Sequence, residues 1–136
     1  MARPGYDRGG LEGVAQPHGP QETLDRFEVA IARYGMTIFA RIDHGAAAAK
    51  AGLELRPTVV LIFGNARAGT PLMKMAPTIA IDLPLKALVW QDEAGVTWLG
   101  YNDPVWISRR HGLVYDGSID VVIEALAAIA SEATTT

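Results

Sequence analysis

The sequence predicts an α+β domain: one curved, mainly antiparallel sheet with helices packed on one side. Three observations predict it. Apolar residues recur at helical spacing near both ends, at Leu24, Phe27, Ile31 and Tyr34 and again at Ile119, Val122, Ile123, Leu126, Ile129 and Ala130. Two strand-like runs, Lys86–Gln91 and Val96–Tyr101, flank the turn Asp92-Glu93-Ala94-Gly95, and a hairpin makes its two strands antiparallel. The order strand, helix, strand, helix, strand, turn, hairpin, helices departs from a regular βαβ alternation.

Each element has a local reason. Residues 1–9 read as a tail and 10–132 as one domain. Pro17, Gly19 and Pro20 form a turn before a helix over about 21–34, with Glu22 and Asp25 at its positive end and Gly35 after its last turn. A strand follows over 36–42, with Met36, Ile38, Ala40 and Ile42 on one face and Thr37, Phe39 and Arg41 on the other. Asp43 caps an alanine-rich helix, 44–51, that Gly52 ends. Pro57 precedes a buried strand, 58–63. Thr70 caps a turn or two of helix over 71–75, and Pro77 and Pro84 bracket an irregular or edge-strand segment. Asp103 and Pro104 start a short helix that stops near His111, at Gly112. The last helix spans about 118–132.

Gly64-Asn65-Ala66-Arg67-Ala68-Gly69-Thr70 nearly spells a phosphate loop. Such a loop needs lysine after its second glycine and then a hydroxyl for magnesium. Here Thr70 holds the lysine position and Pro71 the hydroxyl position, and Lys74 lies a helical turn further on. The segment is read as architecture. Free N–H groups at a helix start there could still hold a carboxylate or small anion.

Composition narrows the function classes. The 136 residues suit one domain that hides most of its apolar surface unaided. A net charge of −3 offers no basic surface, so neither nucleic acid nor a membrane is expected as partner. Cysteine is absent, which excludes disulfides, thiol catalysis and zinc–thiolate sites. No run approaches the roughly 18 apolar residues of a membrane span, and the first residues lack a signal-like apolar block, so a cytoplasmic location is expected.

Several stretches then carry a resemblance. Phe63-Gly64-Asn65, Gly69-Thr70-Pro71-Leu72-Met73, the run from Asp82 to Trp90, Trp98-Leu99-Gly100-Tyr101-Asn102-Asp103-Pro104 and Arg110-His111-Gly112-Leu113 resemble the bacterial family called domain of unknown function 302, as does Arg41-Ile42-Asp43-His44. The resemblance covers nearly the whole chain from Gly10. It implies an α+β fold related to TATA-binding-protein-like folds, and a homodimer. It implies no activity, so no catalytic residue is carried over.

The polar residues at element ends are the site candidates. Asp43 and His44 place a carboxylate and an imidazole where a strand becomes a helix. Tyr101, Asn102 and Asp103 occupy the corresponding end of the last strand, and Asn65 and Thr70 the near-miss loop. His111 at a helix C-terminus is read as structural, a cation favoured by the dipole. The three histidines show no metal-ligand spacing, so no metal and no cofactor are expected. No Gly-x-Ser-x-Gly elbow is present. Trp90, Trp98 and Trp106 suit a core, a dimer surface or a pocket wall.

Two functions follow. The preferred one is a homodimeric binding module with a small apolar pocket for a small-molecule ligand. The other is a small enzyme with a polar site built from Asp43, His44, Asn65, Tyr101, Asn102 and Asp103. Convergence of those side chains on one cavity favours the enzyme; bonding of each to its own backbone favours the module.

Overall fold

The structure, a computed structural model, describes residues 5–113, 117 and 119–135, with the backbone alone at 5–8. Its elements are β1 (Gly5–Arg8), β2 (Leu11–Gln16), α1 (Pro20–Arg33), β3 (Thr37–Asp43), α2 (His44–Lys50), β4 (Thr58–Gly64), α3 (Ala66–Met75), a 3-10 turn (Pro77–Ile81), β5 (Leu85–Gln91), β6 (Thr97–Asn102), α4 (Pro104–Arg110) and α5 (Asp120–Thr134). The six strands form one open sheet in the order β1-β2-β6-β5-β4-β3, and every pairing is antiparallel. The predicted α+β class stands. Strand β1 lies within the stretch read as a tail.

Alternation along the strands defines the two faces of the sheet. Val59, Leu61 and Phe63 of β4, Leu85, Ala87 and Val89 of β5 and Leu99 of β6 point to one side and are buried. Helices α1 and α5 cover that side. Leu24, Phe27, Ala30 and Ile31 of α1 and Val122, Leu126, Ile129 and Ala133 of α5 complete the core. Phe27 meets Phe63 edge to face, with ring centroids 5.4 Å apart, a favoured aromatic geometry. Gln16 Nε2 donates to Thr134 Oγ1 at 3.0 Å, tying β2 to the end of α5.

Four local expectations are corrected. Tyr34 belongs to no apolar face: α1 ends at Arg33 and Tyr34 is exposed, because Gly35 turns the chain at φ +71°. The alternation in β3 is broken by a register shift between Ile38 and Ala40. Ile38 therefore pairs with core-facing Phe63, while Ala40 and Ile42 pair with Ile62 and Val60 on the other face. Helix α3 starts at Ala66, capped by Asn65, not at Pro71 behind a Thr70 cap. Asn65 Oδ1 accepts from Arg67 N at 2.8 Å, which satisfies an N-terminal donor earlier than Thr70 could. Pro71 then sits inside the helix. Between Pro77 and Pro84 the chain forms the 3-10 turn rather than an edge strand. The start of the last helix was expected at residue 118, which lies outside the described residues.

The second face of the sheet is also apolar. Val60 and Ile62 of β4, Leu88 and Trp90 of β5 and Trp98 of β6 alternate with the core residues and are half-buried. Trp90 and Trp98 stack across the strands with centroids 6.0 Å apart. Asp92 Oδ2 accepts from Trp98 Nε1 at 2.9 Å, while its other oxygen accepts from Ala94 N and Val96 N. The Asp92 carboxylate at the turn is thus the clasp of the hairpin.

Candidate functional site

An apolar cavity of about 240 Å³ opens beside α3. Three features of the chain build it. Gly64 and Leu85 mark where β4 ends and β5 begins. Asn65 then turns the chain into α3, which presents Ala68, Gly69, Leu72 and Met73 to the space. Leu83 and Pro84 close it on the approach to β5, with Val122 of α5 and Met36 behind. The β3 bulge contributes Phe39, which alternation alone would have placed elsewhere; bulges commonly re-aim a side chain beside a site. Among the described residues, Asn65 is the one polar side chain in this lining.

The sequence candidates do not converge there. Asn65 lines the cavity, and its oxygen is committed to the cap of α3. Asp43 Oδ1 accepts from Ala46 N at 2.9 Å as the cap of α2. Asp103 Oδ1 accepts from Val105 N at 3.0 Å as the cap of α4. His44 is exposed at the start of α2 and Thr70 is exposed within α3. Asn102 closes β6, in register with Leu11. Tyr101 stands opposite Glu12 across β2 and β6. Burial chiefly, then the Glu12 and Asp103 charges and a hydrogen bond to Glu12, push its phenol pKa up. Three of the candidates therefore answer helix N-termini, and Tyr101 answers a neighbouring strand.

His111 does more than cap a helix. It is the C-cap residue of α4, as its position suggested, but its side chain is only 7% exposed. Its Nδ1 is 2.9 Å from Thr78 Oγ1 and its Nε2 is 2.5 Å from Asp82 Oδ2. Arg110 Nη1 donates to both Asp82 oxygens at 2.9 Å. Burial alone would raise the Asp82 pKa; the His111 hydrogen bond and the charges of Arg110 and His111 outweigh it and hold the carboxyl low. Thr78 and Asp82 were not candidates. The available signal was that Asp82 and His111 each lie in a stretch bearing the family resemblance, although 29 residues separate them.

Among the described residues no group of three His, Cys, Asp or Glu side chains could hold a metal ion. No described helix is long and apolar enough to cross a membrane.

The fold and cavity define a class: a small α+β protein with an open antiparallel sheet, helices on one face, and an apolar recess under a capped helix. The chain belongs to the DUF302 family, described as a domain of unknown function, whose model matches residues 13–133. The crystal structure of an uncharacterized conserved DUF302 protein from Bacillus stearothermophilus superimposes with a TM-score of 0.81 at 20% identity, covering 93% of this chain and 99% of that one. At that identity the likeness speaks for the fold alone. The chain is also 46% identical over 117 residues to proteins named fluoride-specific ion channel FluC 1 from Brucella suis biovar 1 and Brucella abortus biovar 1. Those matches take in 86% of this chain but 45% and 43% of the relatives. The chain thus spans less than half the length of the curated relatives it matches.

Proposed function

We propose that this chain is a homodimeric binding module that holds a small apolar molecule in the recess beneath α3. The carrying observation is the lining of the 240 Å³ cavity, aliphatic and aromatic apart from Asn65. Binding sites of this kind pair apolar walls with a few polar groups that orient the ligand. The volume suits a ligand somewhat larger than benzene, which occupies cavities of about 150 Å³. With its oxygen engaged in the cap, Asn65 offers its amide N–H groups to an acceptor on that ligand.

The second sheet face supports the homodimer. Antiparallel sheets usually turn polar residues to water on their open side, yet here the open side carries Ile42, Val60, Ile62, Leu88, Trp90 and Trp98. A second copy of the same face would cover it through a self-complementary, two-fold contact. Native mass spectrometry of the chain purified from its host tests both parts together. A dimer mass with a retained small molecule is the expected result; an empty monomer overturns the reading.

A second reading rests on the channel relatives. Their names describe ion channels, and their match to this chain covers less than half of their length. The matching portion would then be an accessory domain beside a membrane-embedded one, and this chain would serve fluoride handling in that role. Deleting its gene and measuring growth in fluoride tests this: unchanged tolerance removes the reading.

A further inference from the structure

We propose that Thr78 is a nucleophilic hydroxyl, activated by His111 and Asp82, that takes an acyl group from small activated esters. The proposal goes beyond the ligand-binding reading and does not depend on it. The residues come from three places in the chain, the 3-10 turn, the segment behind it and the end of α4. The fold alone brings them together.

The hydrogen-bond chemistry allows one arrangement for a neutral imidazole. An ionised Asp82 can only accept, so Nε2 carries the ring proton. Nδ1 is then a bare acceptor, and the Thr78 hydroxyl must donate to it. The hydroxyl oxygen keeps its lone pairs for attack. That is the logic of a base-activated nucleophile oriented by a third group. Arg110 grips both Asp82 oxygens, which holds the carboxylate in place and in its charged form.

Exposure divides the cluster in a useful way. The His111 side chain is only 7% exposed, and both of its nitrogens are engaged by protein partners. Thr78 is exposed, so a reagent in solution can reach its oxygen. A latch between α4 and the 3-10 turn would be complete with Arg110, His111 and Asp82 alone.

The chemistry balances in two steps. Thr78 Oγ1 bonds to the ester carbonyl carbon while its proton passes to His111 Nδ1. The bond from that carbon to the alcohol oxygen breaks, and the alcohol leaves with the proton, or as a phenolate with His111 then releasing the proton to solvent. Water then attacks the acyl-threonine, giving its proton to His111, and releases the carboxylic acid with the hydroxyl restored.

Treatment of the full chain with p-nitrophenyl acetate, followed by peptide mass spectrometry, tests the proposal. We expect a burst of p-nitrophenolate and one acetyl group on the peptide containing Thr78. Thr78→Val should lower the burst rate at least about a hundredfold, the lower range for a positioned acid–base pair, and Thr78→Ser should restore it. His111→Gln should lower it while leaving the hydroxyl present. If that variant fails to fold by circular dichroism, the Val and Ser pair at Thr78 decides. Acetyl groups on lysines with Thr78 unmodified, a burst unchanged in Thr78→Val, or no burst, overturns the proposal.

Discussion

His111 Nε2 lies 2.5 Å from Asp82 Oδ2, a hydrogen-bond contact between two side chains that are 7% and 13% exposed. Asp82 also takes both hydrogen bonds from Arg110, so one carboxylate gathers the end of α4 onto the segment leading into β5.

This contact predicts a pH dependence. The Asp82 pKa is lower in the folded chain than in an unfolded one. Such a group adds stability above its unfolded pKa of about 4 and loses it as the pH falls through the folded value. Asp82→Asn should cost about 1–3 kcal/mol at pH 7, the range for leaving a buried polar partner unpaired. The gap between wild type and variant should narrow as the pH falls below that of an ordinary carboxylate. Urea denaturation at pH 7 and at pH 3 checks both points.

Phe39 predicts a separation of binding from stability. It lines the cavity, yet it is 56% exposed. Phe39→Ala should change stability by less than about 1 kcal/mol, since exposed substitutions are usually mild. Affinity for an apolar probe such as naphthalene should fall several-fold. Fluorescence titration beside a melting curve separates the two effects.

Gly69 predicts the opposite pairing. A Cβ there would meet Met73 Cε at 3.6 Å and Leu83 Cδ1 at 3.7 Å, ordinary contacts at the cavity wall. Gly69→Ala should stabilise α3 by about 0.5–1 kcal/mol, because glycine inside a helix is costly. It should weaken ligand binding, since the added methyl occupies cavity space. Thermal unfolding and titration of the same variant test the pair.

Gly10 predicts a loss with two sources. Its φ is +91°, and an added Cβ would fall 2.3 Å from the Trp106 ring. Gly10→Ala should cost more than about 1 kcal/mol from backbone strain alone, with the clash added. Combining it with Trp106→Ala should recover the clash and leave the strain. A double-mutant cycle in urea measures each part.

Val60 reports on the sheet face left without helices. It pairs with Ile42 and Leu88 there and is half-buried. If the homodimer proposed above forms through this face, Val60→Lys should convert it into a monomer without changing the circular dichroism spectrum. Light scattering after size-exclusion chromatography reads the outcome.

Much of the architecture was legible along the chain because its signals are local. Helix α4 needs only Asp103 and Pro104, the β5–β6 hairpin only its Asp92–Gly95 turn, and α1 only its apolar period. Side-chain oxygens beside free N–H groups form caps regardless of what packs around them. Thr70 and Pro71 give an equally good local helix start, and the cap by Asn65 with the packing of Ala68 against the core belongs only to the longer helix. The phase of β3 was lost for a related reason: a bulge is an agreement with a partner strand, and its alternation pattern does not record it.

By itself, the sequence determined the class, the antiparallel hairpin and the Asp43 and Asp103 helix caps. Those follow from spacing and from groups a few residues apart. Tertiary structure alone decided that Phe39, Leu83 and Val122 enclose one recess, and that Thr78, Asp82 and His111 form one hydrogen-bonded chain. Both arise where distant segments meet, and that meeting is set by burial of the whole core, a property that no short window of residues contains.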